Sequence, residues 1–326
     1  MTRTKIWPSP KILVIGGGTG TSTILKGLKE YTDDITAVIS VYDNGGSTGR
    51  LRKDLNILAT GDLRACLISL SDNELLSELL KYRFEDGDLE GHNFGNIFLA
   101  AMYQILGDFD QAIGETGKIL NITGKVLPIT LQNANLIGEL ENGKKVIGES
   151  QIPEASHKEK SRIKRIYTDP YEIKMEKSVK ESILAADLII LGPGSLYTSV
   201  IPNLLAKDML ESIQKSKAKL VYVSNIMQQI GETEGYGVKD HYQAIIDHSK
   251  KGLIDYIVVN NQNIDESIEE KYKKASSKIL KLRGDEREFF EKERVKVLEA
   301  NLVEIKDGTV RHHADNLAKL IFDEIL

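Results

Sequence analysis

Gly16, Gly17, Gly18, Thr19 and Gly20 stand between an apolar run holding Ile12, Val14 and Ile15 and a stretch whose Ile24, Leu25 and Leu28 share one helical face. A glycine loop between strand and helix lets the backbone approach a ligand closely, and the free N–H groups of the helix's first turn suit an anion. The spacing stops short of two phosphate signatures. Read from Gly16, G-x-G-x-x-G has Thr21 at its third glycine, and no lysine completes a P-loop. What remains is a backbone cradle for phosphate or another anion, with a plain strand-to-helix turn as the alternative.

Four further loops carry polar groups of the right kind. Asp43 lies about twenty residues beyond the first loop, where a dinucleotide-binding fold places its ribose-binding acid, so a nucleotide ribose, that of NAD included, is a candidate partner. Asp43, Asn44, Gly45 and Gly46 also read as a simple turn. Residues 45–49 match G-x-S-x-G around Ser47, but the basic segment Arg50, Leu51, Arg52, Lys53 replaces the tight helix entry of a nucleophile elbow. Arg50 and Arg52 are expected to face an anionic ligand or a surface carboxylate. In TGDLRACL, Gly61 and Asp62 can cap a helix, and Arg64 in its first turn opposes the helix dipole unless an anion lies nearby. His92, Asn93 and Asn96 open an apolar helix; His92 is either a base or sugar-hydroxyl partner, or part of a capping cluster. Gly192, Pro193, Gly194 and Ser195 follow the buried strand DLIIL as a rigid loop able to grip phosphate, with Tyr197 and Thr198 within reach. Asn225, in KAKLVYVSNIM, joins the candidate ligand-binding set. No catalytic residue is assigned.

Elements that must position these loops are legible as alternation. KILVI and ITAVISVY read as strands, and Leu63–Leu70, Leu75–Tyr82 and Ile97–Leu106 as helices. The pattern predicts a doubly wound, mainly parallel α/β sheet. Residues 124–168 change texture and predict a small β-rich antiparallel insertion, with a hairpin turn at Asn142-Gly143. Strand-like DLIIL, KLVYV and DYIVVN then return, so residues 1–326 are read as one discontinuous domain; EREFFEKERVKVLEANLVEI reads as a charged surface helix and Ala314–Ile325 as a terminal helix.

Composition narrows the classes. The 326 residues are 41% hydrophobic and 28% charged, with a net charge of −5 that argues against nucleic-acid binding. Cys66, the single cysteine, sits among Leu63, Leu67 and Leu70 and is expected to be a buried inert thiol. His241 and His248 share a helical face without an acid spaced to complete a metal site, and His312 and His313 read as a solvated pair. No metal is expected, save that Asp43 would be the ligand if Mg²⁺ is used. With no membrane-length apolar run, and with MTRTKIWPSP lacking a signal core, a cytoplasmic protein is expected. Homo-oligomerisation and protein partners stay open.

GGGTGTSTILKGL, DNGGSTGRLR, GDLRACLISLS, GHNFGNIFLAAM, GPGSLYTSVIPNLL, GETEGYGVKDHYQAIIDH, NQNIDESIEEKY and RHHADNLAKLI together resemble, over nearly the whole chain, the YvcK-type gluconeogenesis factors. The loops are more distantly similar to CofD, a 2-phospho-L-lactate transferase. The resemblance implies a Rossmann-like sheet and a regulator that binds UDP-sugars such as UDP-N-acetylglucosamine. It also implies roles in cell shape, wall synthesis and growth on gluconeogenic carbon, with no established reaction. It further implies that Tyr272 of the "KY" motif and Arg311 of the "RH-x-A" motif contact the ligand, chemistry that suits stacking and diphosphate binding. Asn44 replaces the family's second Asp, Ala65 stands where Asn is usual, and RHHA replaces RHNA. The first two changes disfavour the transferase alternative, which needs carboxylates for Mg²⁺. The third bears on the pocket near Arg311.

Overall fold

Strands without polar alternation arise where both faces of a sheet are covered, and β1 (Ile12–Gly16) and β2 (Ile35–Ile39), joined by α1 (Gly18–Leu28), are buried along their whole length. The computed structural model describes residues 8–274 and 276–326; the first seven residues of MTRTKIWPSP, and the expectation that rests on them, lie outside the described residues. Five helices follow β2: α2 (Gly46–Leu55), α3 (Gly61–Leu70), α4 (Glu74–Lys81), α5 (Phe94–Leu106) and α6 (Phe109–Leu120). Next come β3 (Lys125–Pro128), β4 (Asn135–Leu140), β5 (Lys145–Ile147), α7 (Gln151–Glu159) and β6 (Ile163–Asp169). α8 (Lys177–Ala185) leads to β7 (Leu188–Leu191), a π-helical turn at Leu196–Val200, α9 (Ile201–Leu204), α10 (Met209–Lys215) and β8 (Lys219–Val223). α11 (Val238–Asp247), β9 (Tyr256–Asn260), α12 (Glu266–Lys274), α13 (Gly284–Glu293) and β10 (Lys296–Ala300) follow. β11 (Val303–Lys306), β12 (Thr309–His312) and α14 (Ala314–Glu324) end the described chain.

Seven strands form one parallel sheet in the order β10-β9-β8-β7-β1-β2-β3, with Ile12 paired to both Ile35 and Leu188. The chain winds outward from β1 through β2 to β3, and outward from β7 through β8 and β9 to β10. The topological switch therefore falls between β1 and β7, where an open α/β sheet forms its ligand crevice. β5-β4-β6 make a small antiparallel sheet, and β11-β12 a two-stranded ribbon.

Several elements differ from the sequence reading, each for a packing reason. GKVLPITL, expected in the insertion, supplies β3, which pairs in parallel with β2 at the edge of the main sheet. The basic segment after Ser47 is helical: in α2, Leu51 is its main apolar anchor, packing with Ile57 and Ala100, too sparse a signal to show a period. VKVLEANLVEI is not helix but β10 and β11; an edge strand keeps one side wet, so charged residues alternate through it. Cys66 is fully buried and burial pushes its thiol up, as its apolar setting predicts. His241 and His248 are buried staples: each Nδ1 donates to the carbonyl four residues back, and His248 Nε2 accepts from the Ile166 N–H at 2.9 Å, tying α11 to β6. Among the described residues no helix is long and apolar enough to cross a membrane.

Candidate functional site

The loops leaving β1 and β7 meet at the switch point and lock together through Thr21, the residue standing where a third glycine was absent. The Gly17 N–H donates to Thr21 Oγ1 at 2.9 Å, and the Thr21 hydroxyl faces the carbonyls of Gly17 and Pro193 at 3.1 and 3.3 Å. A Cβ at Gly20 would stand 2.5 Å from the Pro193 carbonyl oxygen, and Gly18 holds φ +69°, so glycine is required by contact at one position and by conformation at the other. Asn203 donates to the carbonyls of Gly16 and Ser199 at 3.1 and 2.7 Å. Behind the second loop, Asn225 Nδ2 donates to the Gly194 carbonyl at 2.9 Å, and Gln229 Nε2 to the Ser195 hydroxyl at 2.8 Å.

Two chambers open on either side of the first loop. The first, about 360 Å³, is walled by residues 17–20, by Pro193, Gly194 and Ser195, by Asn225, and by Ile226, Met227, Val310 and Arg311. That volume is of small-molecule size. Arg311 lies on β12 and is half-buried; among the described residues its guanidinium has no ion-pair partner. Beside it, His312 is buried rather than solvated: Nε2 donates to the Ser224 carbonyl at 3.1 Å, and burial pushes its pKa down to about 4. His313 instead caps α14. Tyr272, on α12, is not on the chamber wall. Its hydroxyl accepts from the Val310 N–H at 2.9 Å, and its ring packs with Ile226, Met227 and Val303, so it braces the ribbon that carries Arg311. Tyr197 is buried with its hydroxyl on Tyr236 at 2.8 Å, away from both chambers.

The second chamber, about 320 Å³, shares Gly18 and Thr19 with the first and brings together Asp43, Ser47, Asp62, Arg64, Arg83 and Asn96. Asp43 Oδ1 accepts from the Gly45 N–H at 2.9 Å, so the Asp-Asn-Gly-Gly turn and a ligand-facing carboxylate coexist. Asp62 accepts from Gly18 and is pushed up to about 6, first by burial and then by Asp43. Burial, then Arg83, hold the Arg64 guanidinium below its ordinary value. Ser47 Oγ accepts from the Asn93 N–H at 3.1 Å and lies 3.3 Å from His92 Nδ1. Burial and Arg50 lower His92. Asn93 is the N-cap of α5, accepting from Asn96 at 3.2 Å.

Three expected contacts are diverted to structure. Asn44 Nδ2 donates to Gln151 Oε1, and its Oδ1 accepts from the Ser150 N–H and hydroxyl at 3.1 and 2.9 Å, which ties the insertion to the β2 loop. Arg52 binds the carbonyls of Tyr42, Asp43 and Ala134 and the Asn133 amide oxygen and feels the Asp43 carboxylate, and Arg50 binds the Glu90 carbonyl; among the described residues neither forms an ion pair. Two carboxylates that the sequence reading missed stand close by. Glu149 is pushed up to about 7 by burial, Asp43 and Glu232, and lies within hydrogen-bonding reach of Thr198. Glu232 is buried, accepts from the Tyr197 N–H at 2.9 Å and the Thr198 hydroxyl at 3.0 Å, and burial raises it. Glu149 carries no local signal, being one acid in the turn after β5. Among the described residues, no three His, Cys, Asp or Glu side chains gather as a metal-holding group.

The chain as a whole is similar to known proteins. A family model described as 2-phospho-L-lactate transferase CofD matches residues 12–303. The gluconeogenesis factor of Bacillus subtilis is 44% identical over 96% of this chain and 98% of its own. The chain belongs to the CofD and gluconeogenesis factor family. A putative gluconeogenesis factor of Thermoanaerobacterium thermosulfurigenes is 46% identical to this family member, over 96% of both chains. A crystal structure of a UPF0052-family protein from Bacillus halodurans superposes on this family member with a TM-score of 0.91 at 42% identity, covering 96% of this chain and 99% of that one. The α/β architecture expected from the sequence is thus shared across the family.

Proposed function

We propose that this gluconeogenesis factor family member is a cytoplasmic regulator that binds a UDP-sugar, with UDP-N-acetylglucosamine the first candidate. In that state it governs cell shape, wall synthesis and growth on gluconeogenic carbon, through a protein partner that reads the ligand. The observation that carries the reading is Arg311, a guanidinium without an ion-pair partner among the described residues, on the wall of a chamber whose other walls are two glycine loops. Backbone N–H groups at the start of α1 and a forked guanidinium both suit a diphosphate. Ile226, Met227 and Val310 supply an apolar surface for the base.

Titration calorimetry with UDP-N-acetylglucosamine, with and without Mg²⁺ and with NAD and GTP alongside, tests this. The regulator binds the sugar nucleotide saturably, leaves it intact, and loses that binding in Arg311→Ala. Absence of UDP-sugar binding beside Mg²⁺-dependent GTP or NAD binding sinks the reading.

A second reading, a CofD-like transferase, is favoured by one observation: Asp62 and Glu149, pushed up to about 6 and 7, both feel Asp43. A divalent cation relieves such crowding, so Mg²⁺ would be held by Asp43 with Asp62 beside it, and would supply charge neutralisation to a transferring phosphoryl group. This reading requires Mg²⁺-dependent turnover that Asp43→Asn abolishes.

A further inference from the structure

α4 carries two apolar faces where a surface helix needs one. Ser77 and Leu80 are buried and Leu76 packs on the core, so this face holds the helix in place. Leu75, Leu79 and Tyr82, spaced i, i+4 and i+7, form a second stripe turned to solvent; Leu75 is 80% exposed and Tyr82 51%. The Tyr82 ring stands edge-on to Phe84, with 5.2 Å between centroids. Beyond it, residues 84–92 form a hairpin. The Phe84 N–H donates to the His92 carbonyl at 3.0 Å and the Gly91 N–H to the Phe84 carbonyl at 2.8 Å, and half-exposed Leu89 sits between them in the chain. Single apolar side chains on a surface are ordinary, but a stripe of them continued by aromatic and aliphatic neighbours marks a contact surface.

Charge narrows what covers it. Helical period puts Glu74 and Glu78 along one flank of the stripe, and the hairpin carries Glu85, Asp86, Asp88 and Glu90, all of them exposed. Glu78 pairs with Lys81 at 2.7 Å; the other carboxylates form no ion pair among the described residues. Such a surface repels nucleic acid and anionic lipid. A second copy of the chain fits poorly, because a symmetric pair sets the same carboxylates against one another. A stripe two helical turns long is also too small for the ~800 Å² that each partner buries in a stable dimer. A short helix with apolar teeth on one face and Lys or Arg on the other matches both the stripe and its charge.

We propose that Leu75, Leu79 and Tyr82 of α4, with Leu89 of the hairpin, are the docking surface for a basic amphipathic helix of a partner protein. The acidic hairpin steers and orients that helix, and the stripe takes its apolar face. Arg83, next after Tyr82, lines the second chamber, so docking takes place at the edge of the ligand loops; it does not depend on what either chamber holds.

The test is fluorescence anisotropy with the full chain and a labelled Leu/Lys peptide of helical period, LKKLLKLLKKLLKL. The controls are a peptide of the same composition with the period scrambled, and a Leu/Glu counterpart. The periodic basic peptide binds one to one, more weakly at physiological salt than in dilute buffer, and both controls bind about tenfold more weakly or worse. Leu75→Ser combined with Leu79→Ser weakens the peptide about tenfold or more, through the loss of two apolar side chains from the contact. Glu85→Lys combined with Asp88→Lys leaves the stripe intact and also weakens binding, by a factor that shrinks as salt is added. All four positions are exposed, so both variants melt with wild type. The proposal is overturned if the periodic peptide does not bind, if the scrambled peptide binds as tightly, or if either variant binds as well as wild type. Self-association in sedimentation that the double leucine variant abolishes overturns it too, by giving the stripe to a second copy of the chain.

Discussion

Thr21 shows why one residue can break a signature and still serve the site. In a G-x-G-x-x-G turn the third glycine allows close helix packing; here a hydroxyl at that place bridges the two ligand loops. Gly20→Ala forces a methyl group to 2.5 Å from the Pro193 oxygen and is expected to cost about 1–3 kcal/mol in urea melts, with UDP-sugar affinity falling alongside. Arg311→Ala, by contrast, removes a half-buried side chain without an ion pair among the described residues, so it should abolish nucleotide binding with little change in melting temperature. Asp62 and Glu149 make a pH prediction. A carboxyl raised in the folded state binds its proton more tightly when folded. Its contribution is present below the unfolded value near 4 and is lost as pH rises through about 6 for Asp62 and about 7 for Glu149. His312, lowered to about 4, acts oppositely, contributing above its unfolded value and losing that contribution as pH falls. Comparing Asp62→Asn with wild type isolates the carboxyl: the variant gains relative stability as pH rises from about 4 to about 6 and levels off above that, and parallel stability curves would count against the assignment.

At the scale of elements, the small antiparallel sheet matters because it delivers Glu149. Asn44 holds it there with bonds to Ser150 and Gln151, a role in which an amide supplies both a donor and an acceptor. Asn44→Ala should lower stability by about 1 kcal/mol and speed hydrogen exchange in residues 148–160, while β1 and β7 stay protected. Elements with continuous apolar runs or a clear helical face, such as β1, β7, α3 and α14, were legible in the sequence. α2 and β10 were not, since each is anchored by few apolar residues among charges. β3 is not separable from the insertion by sequence, because it resembles the short strands after it and only its pairing with β2 distinguishes it.

For the whole molecule, the decisive fact is that strand order reverses between β1 and β7, placing two glycine loops face to face. A ligand bound only by the folded state stabilises it by mass action, about 2.7 kcal/mol at a hundredfold excess over Kd. Saturation with UDP-N-acetylglucosamine should therefore raise the melting temperature and slow exchange at residues 16–21, 192–195 and 225–229 more than in β4 to β6. Uniform protection across the chain would point away from the first chamber.

The sequence by itself determined the fold class, the glycine loops and the polar residues beside them, because apolar periodicity, turn chemistry and colinear motifs are local properties of the chain. It also identified Asp62, Arg64 and Asn96 as candidates, whereas Arg311 is singled out only by the resemblance to the family. Only the tertiary structure decided their grouping. Arg311 faces one chamber, Asp43, Arg64 and Asn96 face another, Tyr272 braces a strand, Asn44 ties down an insertion, and Glu149 arrives from far along the chain. Such neighbours are set by strand order and packing, which bring together residues whose separation along the chain carries no trace of their meeting.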